Sequence, residues 1–311
     1  MMLKNFFYGC LFILGIHCCS AKEMKVLMIG NSFSVCVGKE LPNIVNSVPD
    51  HKLELTSAYI GGCPLDRHSQ NLLKAEKDPS FKPYHIKIWK SENPKQEKTF
   101  LANVNMLLKE NRYDVITIQQ GSQKSWNYAT YQPFAEQLIS YIRQHQPHAE
   151  IVIQQTWAYR NDHAFIQPNP KAKWKFDQNG MHERIREAYQ KLAAAHQLRV
   201  IPMGEAVFYF RKYSPVKYRS EVTQYPALPS SDGDVVGKAW WAKKDGKYSL
   251  RKDCIHLNKE GNYLQACLWF SFLYDEPVTK IKYVPAWMKP EQAELIRRCV
   301  TDALQNYKQV K

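Results

Sequence analysis

The stretch KVLMIGNSFSVCVGKELPNIV, residues 25–45, contains the clearest fold signal in the chain. It begins with a continuous apolar run, reaches Gly30, and continues with the polar residues Asn31 and Ser32. Such a run is typical of a strand buried on both faces of a parallel sheet. Ser32 therefore stands where the strand ends, either as a nucleophile or as a hydroxyl that caps the following helix.

Further runs of the same kind predict more buried strands, each followed by a turn and a helical pattern. Apolar residues at three- and four-residue spacing predict helices in TFLANVNMLLKE at 99–110 and in GMHERIREAYQKLAAAHQ at 180–197. Alternating strands and helices predict an α/β fold, a three-layer α/β/α sandwich around a five-stranded parallel sheet. The predicted strands are Lys25–Ile29, Lys52–Tyr59, Asp114–Gln119, Glu150–Thr156 and Arg199–Pro202.

Two stretches interrupt this alternation. Residues 66–99 are polar and contain several prolines, and residues 211–252 combine prolines and glycines with the pair Trp240–Trp241 among lysines. Long stretches without regular structure in a compact domain are usually functional loops or mobile segments. We therefore predict one domain with insertions near 66–99 and 211–252.

The N-terminal segment reads as a targeting signal. It has one lysine near its start, an apolar stretch too short to span a bilayer, and small residues at its end. This pattern predicts a signal peptide at residues 1–21 and a single domain at 22–311, so that the mature protein is secreted or periplasmic. A lipid anchor on Cys18 or Cys19 is an alternative, although His17 makes a poor lipid-attachment motif.

Composition limits the classes of protein that are possible. The 311 residues are 44% hydrophobic, enough for a substantial core, and a mean hydropathy of −0.49 excludes a polytopic membrane protein. The formal net charge is +14, but no nucleic-acid-binding motif accompanies the scattered Lys and Arg residues. The charge indicates either an ordinary basic surface or attraction to an acidic polysaccharide outside the cytoplasm.

The cysteines argue against a metal site and against a disulfide scaffold. Three of the eight lie within residues 1–21, and the remaining five have no C-x-x-C spacing. An odd number leaves at least one thiol free, even in an oxidising compartment. We predict that no metal or other cofactor is required.

Ligands bind at the carboxyl ends of the strands in an open parallel sheet. Ser32 follows the first predicted strand, Gly61–Gly62 follow the second, and QQGS at 119–122 ends the third. In KDCIHLN, Asp253 precedes His256 by three residues, just before a long apolar helix. The sequence thus places several polar groups at one edge of the predicted sheet.

These residue types suit nucleophilic catalysis. On one helical turn, Asp253 and His256 would share a face, so that the carboxylate could orient the imidazole while its other nitrogen takes a proton from Ser32. Each signal alone has a simpler interpretation: a serine can cap a helix, a glycine pair can form a tight turn, and a histidine can be an ordinary surface residue. Their coincidence at one edge favours a catalytic site.

The blocks IGNSFS, YIGGCPLDRH and DCIHLN resemble those of the SGNH, or GDSL-type, serine hydrolase superfamily, in the same chain order. The resemblance extends over residues 26–274 and implies the SGNH hydrolase fold with a flavodoxin-like sheet. It implies Ser32 as the nucleophile, Gly62 as an oxyanion-hole residue, and Asp253 and His256 as the acid and base.

The third block departs from the superfamily pattern, which is usually G-x-N-D, because this chain has IQQGSQ at 118–123. A glutamine amide can donate the same hydrogen bond to an oxyanion as an asparagine amide. We assign that role to Gln120, with Gln123 as the alternative, beside the backbone N–H groups of Ser32 and Gly62.

Two further differences lie next to these blocks. Asn31 replaces the aspartate that usually precedes the nucleophile, a change that we expect to matter little for nucleophilicity. Cys63 and Cys254 directly follow the oxyanion glycine and the acid, so a Cys63–Cys254 disulfide that braces the site is conceivable, although sequence cannot establish connectivity.

The variant blocks also suggest a substrate class. QQGS, GNSFS, GGCPLDRH and TWAY are similar to a secreted branch of the superfamily and to members that resemble carbohydrate O-acetylesterases. The resemblance implies a secreted serine esterase that removes short O-acyl groups, above all acetyl, from a polysaccharide or oligosaccharide. The alternatives are a lipase or thioesterase of the same superfamily, or a non-catalytic glycan-binding protein.

Aromatic and basic residues near the predicted site are candidates for substrate binding. Tryptophans offer flat platforms for sugar rings, although any one of them can equally be a packing residue. Basic side chains could receive an acidic sugar. The candidates are Trp126, Trp157, Trp240 and Trp241 for sugar rings, and Arg67, His68 and Arg160 for the acid group.

Overall fold

The structure is a computed structural model that describes residues 22–221 and 223–307. The signal peptide predicted at residues 1–21, with its lipid-anchor alternative, lies outside the described residues. In the part of the chain that is described, no helix is both long and apolar enough to cross a bilayer.

A seven-stranded sheet forms the centre of the molecule, in the order β4-β3-β2-β1-β5-β6-β7. Five neighbours, β2-β1-β5-β6-β7, run parallel, which confirms the predicted fold class and flavodoxin-like order. The strands are β1 Lys22–Gly30, β2 His51–Tyr59, β3 Tyr84–Lys90, β4 Glu97–Ala102, β5 Val115–Ile118, β6 Glu150–Gln154 and β7 Arg199–Ile201.

The two additional strands come from the segment that was predicted as a polar insertion. β3 pairs antiparallel with β2, and β4 pairs antiparallel with β3. The helix predicted over 99–110 is therefore only half right, because Phe100 and Leu101 lie on the exposed edge strand and the helix begins at Val104. Asn103 marks the boundary, since its side chain accepts a hydrogen bond from the Met106 N–H at 2.8 Å.

Helices cover both faces of the sheet. On one face α3, α4 and α5 pack together, and on the other α8 packs against α2, α7 and α9. Every residue of α8 from Gly261 to Tyr274 is buried, because the helix is enclosed between the sheet and its neighbours. The helices are α1 Ser32–Val35, α2 Leu41–Asn46, α3 Leu65–Lys77, α4 Val104–Glu110, α5 Phe134–His145, α6 Gln178–His196, α7 Met203–Tyr213, α8 Lys259–Tyr274 and α9 Pro290–Asn306.

A separate two-stranded hairpin formed by β8 (Val236–Lys244) and β9 (Lys247–Leu257) lies outside the main sheet. Its turn has Asp245 at φ 51° and Gly246 at φ 75°, the backbone that a two-residue Asp-Gly hairpin turn requires. The hairpin occupies the later part of the predicted 211–252 insertion. Asp253 and His256 lie at the end of β9, so the helical turn that was predicted for them is wrong.

Candidate active site

Three side chains from two distant parts of the chain form one hydrogen-bonded series. The Ser32 hydroxyl lies 2.9 Å from His256 Nε2, and His256 Nδ1 lies 2.8 Å from Asp253 Oδ2. Ser32 is half-buried, and the imidazole is 44% exposed. A small molecule can therefore reach the Ser32 hydroxyl from solvent while the His256 imidazole remains hydrogen-bonded to that hydroxyl.

The backbone around Ser32 depends on a glycine and a cap. A Cβ on Gly30 would lie 2.4 Å from the Ser34 hydroxyl, so only glycine permits this close turn from β1 into α1. Asn31 then caps α1, and its Oδ1 accepts from the Phe33 N–H at 3.0 Å. In the structure Asn31, not Ser32, is the helix cap, which leaves the Ser32 hydroxyl available to His256.

Buried amides hold this turn from behind. Gln119 donates to Asn31 Oδ1 at 2.6 Å, and Gln154 donates to Gln119 Oε1 at 2.7 Å. Gln154 and Gln265 both donate to the Phe33 carbonyl, at 2.9 and 2.8 Å. This amide network, consisting of Asn31, Gln119, Gln154 and Gln265, connects the ends of β1, β5 and β6 with α8.

Sequence reasoning missed the amide network as a unit. The signal was present, because both ITIQQ and IVIQQ end an apolar strand with a glutamine pair. A polar group that is fully buried needs a hydrogen-bond partner. Two glutamines at strand ends can form a hydrogen bond with each other only when their strands are neighbours in the sheet.

Asp253 accepts three hydrogen bonds. Its Oδ2 faces the imidazole, while Oδ1 accepts from the N–H groups of Ile255 and His256 at 2.9 and 3.0 Å. Burial alone would raise the pKa of this carboxyl, but the hydrogen bonds from His256 and the two backbone groups outweigh burial and lower the pKa well below its ordinary value. Asp253 is therefore ionised at neutral pH.

Trp157 supports the imidazole loop from within the protein. It is fully buried, its indole N–H donates to the Ile255 carbonyl at 2.8 Å, and its ring stacks on Phe33 at a centroid distance of 4.0 Å. Phe33 in turn meets the His256 ring edge-on at 5.7 Å. A buried ring cannot stack on a sugar, so the prediction that Trp157 is a substrate platform is wrong.

Gly62 lies in a tight turn at the same edge. Its φ of +61° belongs to the left-handed region, and the N–H of Cys63 closes the turn on the Ile60 carbonyl at 3.3 Å. No atom lies within 4 Å of where a Gly62 Cβ would be. Asn31 Nδ2 donates to the Cys63 carbonyl at 3.0 Å, which ties this turn to the Ser32 turn.

Gln120 does not have the freedom that its predicted oxyanion role requires. Its side chain is fully buried, its Nε2 donates to the Thr130 carbonyl at 3.0 Å, and its Oε1 accepts from the Leu65 N–H at 2.9 Å. Gln120 therefore holds its loop against α3, and the structure contradicts its assignment as a donor. The alternative, Gln123, is exposed on the same loop.

The three residues predicted to bind an acid group differ in their accessibility in the structure. Arg67 is exposed near Cys63 and stays a candidate. His68 is fully buried, contacts the Tyr84 hydroxyl at 2.9 Å, and has its pKa lowered to about 3 by burial. Arg160 is buried and forms an ion pair with Asp162. The predictions for His68 and Arg160 are wrong, because neither side chain is accessible to a substrate.

An open groove of about 520 Å³ lies beside His256. Trp240 forms part of its wall and is 44% exposed. Trp241, the next residue on β8, points to the opposite face of the hairpin and donates to the Ala227 carbonyl at 3.1 Å. The other residues that line the groove are Asp162, His163, Ala164, Lys252, Asp253, Cys254 and Ile255.

Trp126, the remaining predicted platform, is half-buried and packs against Trp174 and Phe176. The five cysteines among the described residues are free thiols, so the conceivable Cys63–Cys254 disulfide is not formed. Within residues 22–221 and 223–307, no group of three or more His, Cys, Asp or Glu side chains could hold a metal ion.

Several solved structures are similar to this chain. A DUF4886 family protein from Bacteroides uniformis superposes with a TM-score of 0.73 at 23% identity, covering 93% of this chain and 97% of the other. A candidate SGNH hydrolase from Slackia heliotrinireducens has a TM-score of 0.45 at 16% identity, covering 81% and 100%. A candidate GDSL-like lipase from Parabacteroides merdae has a TM-score of 0.47 at 14% identity, covering 81% and 96%.

The superposition on the Bacteroides uniformis protein supports the fold and does not identify a substrate. A search of curated proteins found no match. Residues 25–217, more than half of the sequence, match the family described as a domain of unknown function, DUF4886. The chain belongs to the DUF4886 family.

Proposed function

We propose that the protein is a serine esterase that hydrolyses short O-acyl esters on carbohydrate, with Ser32 as the nucleophile. The observation that carries this proposal is the continuous series of hydrogen bonds from Ser32 through His256 to Asp253. Residues from two distant segments meet at hydrogen-bonding distance, in the arrangement that activates a serine hydroxyl.

The proposed reaction has two acyl-transfer steps. His256 Nε2 takes the proton from Ser32 as its oxygen attacks the ester carbonyl, and then gives that proton to the departing sugar hydroxyl. Water, deprotonated by the same imidazole, releases the acid from the acyl-enzyme. Ionised Asp253 holds the Nδ1–H and stabilises the imidazolium that forms in both steps.

The oxyanion is stabilised by N–H groups at the strand ends. The N–H of Ser32 lies in the first turn of α1, where helix geometry supplies no acceptor. Gly62 contributes a second N–H from the neighbouring turn, and the exposed Gln123 takes the side-chain role that Gln120 cannot fill. Loss of one such donor typically lowers kcat by about 10²–10³-fold.

The surroundings of the site favour a short acyl group on a polar alcohol. The charged or polar residues Asp162, His163 and Lys252 line the groove beside His256 together with apolar ones, among them Trp240 and Ile255. A long acyl chain would require an enclosed apolar channel, as in a lipase or thioesterase, whereas this groove is open and of mixed polarity. An exposed tryptophan among polar groups is suited to a sugar ring. Export through the predicted signal peptide would bring the enzyme to extracellular glycans.

The experiment measures hydrolysis of p-nitrophenyl acetate, butyrate and octanoate by the wild type and by Ser32→Ala. We expect the acetate ester to be preferred and kcat to fall by at least about 10³-fold in the variant. Ser34→Ala is the matched control, because the Ser34 hydroxyl is buried and donates to the Asn31 carbonyl. A fluorophosphonate should label the wild type and Ser34→Ala, but not Ser32→Ala.

Other outcomes would replace the proposal. Preference for octanoate would indicate a lipase or thioesterase on the same catalytic residues. Equal, near-background rates in the wild type and Ser32→Ala, without fluorophosphonate labelling, would indicate a glycan-binding protein that lacks turnover.

A further inference from the structure

The strand pairing of the β8–β9 hairpin collects basic residues on one face. Residues opposite each other in an antiparallel pair point to the same side, and side chains alternate along each strand. The pairs Lys238–Asp253, Trp240–Arg251, Ala242–Ser249 and Lys244–Lys247 therefore share a face. We call this surface, with its residues Lys238, Trp240, Ala242, Lys244, Lys247, Ser249 and Arg251, the hairpin face.

The cations of the hairpin face are available to a ligand. Lys238, Lys244, Lys247 and Arg251 are exposed, and in the described portion of the chain none of them forms an ion pair. The acidic residue on this side, Asp253, is already engaged with His256. The hairpin face therefore presents four positive charges that are not ion-paired, with Asp245 in the turn as the acidic neighbour of Lys244 and Lys247 along the chain.

The opposite face of the hairpin differs in its contacts. Trp241 donates to the Ala227 carbonyl, Tyr248 stacks on Tyr225 at 3.8 Å, and Lys252 donates to Ser220 at 2.9 Å. That side packs against Ser220, Tyr225 and Ala227, which orients the basic side toward solvent. The packing of the hairpin therefore determines which of its sides carries the exposed positive charge.

The hairpin face is continuous with the groove. Trp240 belongs to both, and Lys238 pairs directly with Asp253. From Lys238 to Lys244 the strand rises about 20 Å, at ~3.3 Å per residue. This length accommodates several sugar units of an extended chain, with one end beside the Ser32 hydroxyl.

We propose that the hairpin face binds an anionic polysaccharide, a chain of uronic acid units, and delivers its O-acyl ester to Ser32. This inference rests on the proposed esterase function and adds the class of polymer. Carboxylates along the glycan pair with Lys244, Lys247 and Arg251, while Trp240 stacks on a sugar ring next to the scissile ester. The charge attracts the polymer, and the tryptophan sets the position of the ester.

A polyuronate fits these features better than a nucleic acid does. The catalytic series acts on an ester, and an O-acylated uronic acid polymer carries both the ester and the negative charge. Trp240 is the one exposed tryptophan of the hairpin face, whereas binding to single strands usually uses several aromatic side chains for successive bases.

The activity test compares O-acetylated polygalacturonate, O-acetylated xylan and p-nitrophenyl acetate. The variant Lys244→Gln/Lys247→Gln/Arg251→Gln removes charge from the hairpin face without touching a proposed catalytic residue. Its kcat/KM on the acetylated polygalacturonate should fall about tenfold at low salt, with p-nitrophenyl acetate unchanged. Trp240→Ala should lower kcat/KM on both polymers.

The matched control is Lys98→Gln/Lys109→Gln/Lys243→Gln, which removes three exposed lysines that lie elsewhere. The control should retain the wild-type kcat/KM on acetylated polygalacturonate. The proposal is overturned if both triple variants lose the same activity, since net charge alone would then be responsible. It is also overturned if the wild type prefers acetylated xylan.

A binding test separates the substrate class from the esterase function. De-esterified polygalacturonate in a native gel should retard the wild type and Ser32→Ala equally, and should not retard the hairpin-face triple variant. Retardation without hydrolysis of any ester would support the binding surface and refute only the esterase. Retardation by single-stranded DNA, but not by polygalacturonate, would overturn the proposal in favour of a nucleic acid.

Discussion

The edge of the main sheet and the β8–β9 hairpin support the two halves of the site in different ways. Ser32 stands on the main sheet, where the amide network is almost fully buried. Asp253 and His256 stand at the end of a two-stranded hairpin whose tip is exposed. The proposed nucleophile is thus held by the core of the protein, and the proposed base by a surface element.

Each region also has its own ion pair with at least one buried partner. Near the sheet edge, Glu205 pairs with Arg186 and contacts Gln155, which follows β6. Beneath the hairpin, Asp162 pairs with Arg160 and accepts from the Tyr218 hydroxyl at 2.9 Å. We therefore expect the sheet edge to unfold only with the whole domain, whereas the hairpin can open locally while the rest of the fold persists.

The largest effect should come from Asp253, the proposed catalytic carboxylate on the hairpin. Asp253→Asn preserves the shape but removes the charge that orients the imidazole, so kcat on p-nitrophenyl acetate should fall about 10⁴-fold. The melting temperature should change little. The control Asp245→Asn, in the hairpin turn, should keep full activity. Equal kcat values for wild type and Asp253→Asn would refute the assignment of Asp253.

Low pH should destabilise the sheet edge by protonating Glu205. Burial alone would raise the pKa of this carboxyl, but hydrogen bonds from Arg186 and His182 outweigh burial and lower it to about 2 from 4.5. Because the folded pKa is below the unfolded one, the stabilisation is present above pH 4.5 and is lost as the pH falls toward 2. It amounts to about 3 kcal/mol at neutral pH.

Calorimetry on Glu205→Gln tests this pH dependence. The variant should melt at a lower temperature than the wild type at pH 7, and the two melting temperatures should converge toward pH 2–3. Glu150→Gln is the control, since the Glu150–Arg199 pair is about 40% exposed on both sides and contributes little. A constant difference in melting temperature across this range would contradict the assignment.

The next prediction separates the amide network from general core stability. Gln119→Leu leaves buried polar groups unpaired, at a cost of about 1–3 kcal/mol, and loosens the turn that positions Ser32. We expect kcat to fall about tenfold with KM unchanged. Gln146→Leu removes another buried glutamine, which donates to the Leu108 and Asn111 carbonyls. Gln146→Leu should lower the free energy of unfolding by a similar amount while kcat is preserved. An equal loss of kcat in Gln119→Leu and Gln146→Leu would argue against a positioning role for Gln119.

The smallest effect should appear at the hairpin turn. Gly246→Ala forces a Cβ into the left-handed region, at a cost of about 1 kcal/mol. We expect the hairpin to open locally, so that tryptic cleavage after Lys243, Lys244 or Lys247 should accelerate about fivefold while the melting temperature is unchanged. A matching drop in melting temperature would show that the hairpin unfolds together with the main sheet.

Some elements were predictable because their information is local. Continuous apolar runs identified the five parallel strands, since a strand buried on both faces needs no polar side chain. The hairpin was missed, although Asp245–Gly246 between alternating residues is a strong turn signal. The lysines and the surrounding prolines instead favoured an irregular insertion.

The sequence by itself determined the α/β class, because apolar runs and helical spacing are properties of neighbouring residues, and it indicated Ser32, Asp253 and His256 as candidate catalytic residues. The flavodoxin-like strand order was an expectation from the family resemblance. Only the tertiary structure decided that Trp157, His68 and Gln120 are buried and that Trp240 and Gln123 are exposed. Burial depends on which distant segments pack over a side chain, and spacing along the chain does not contain that information.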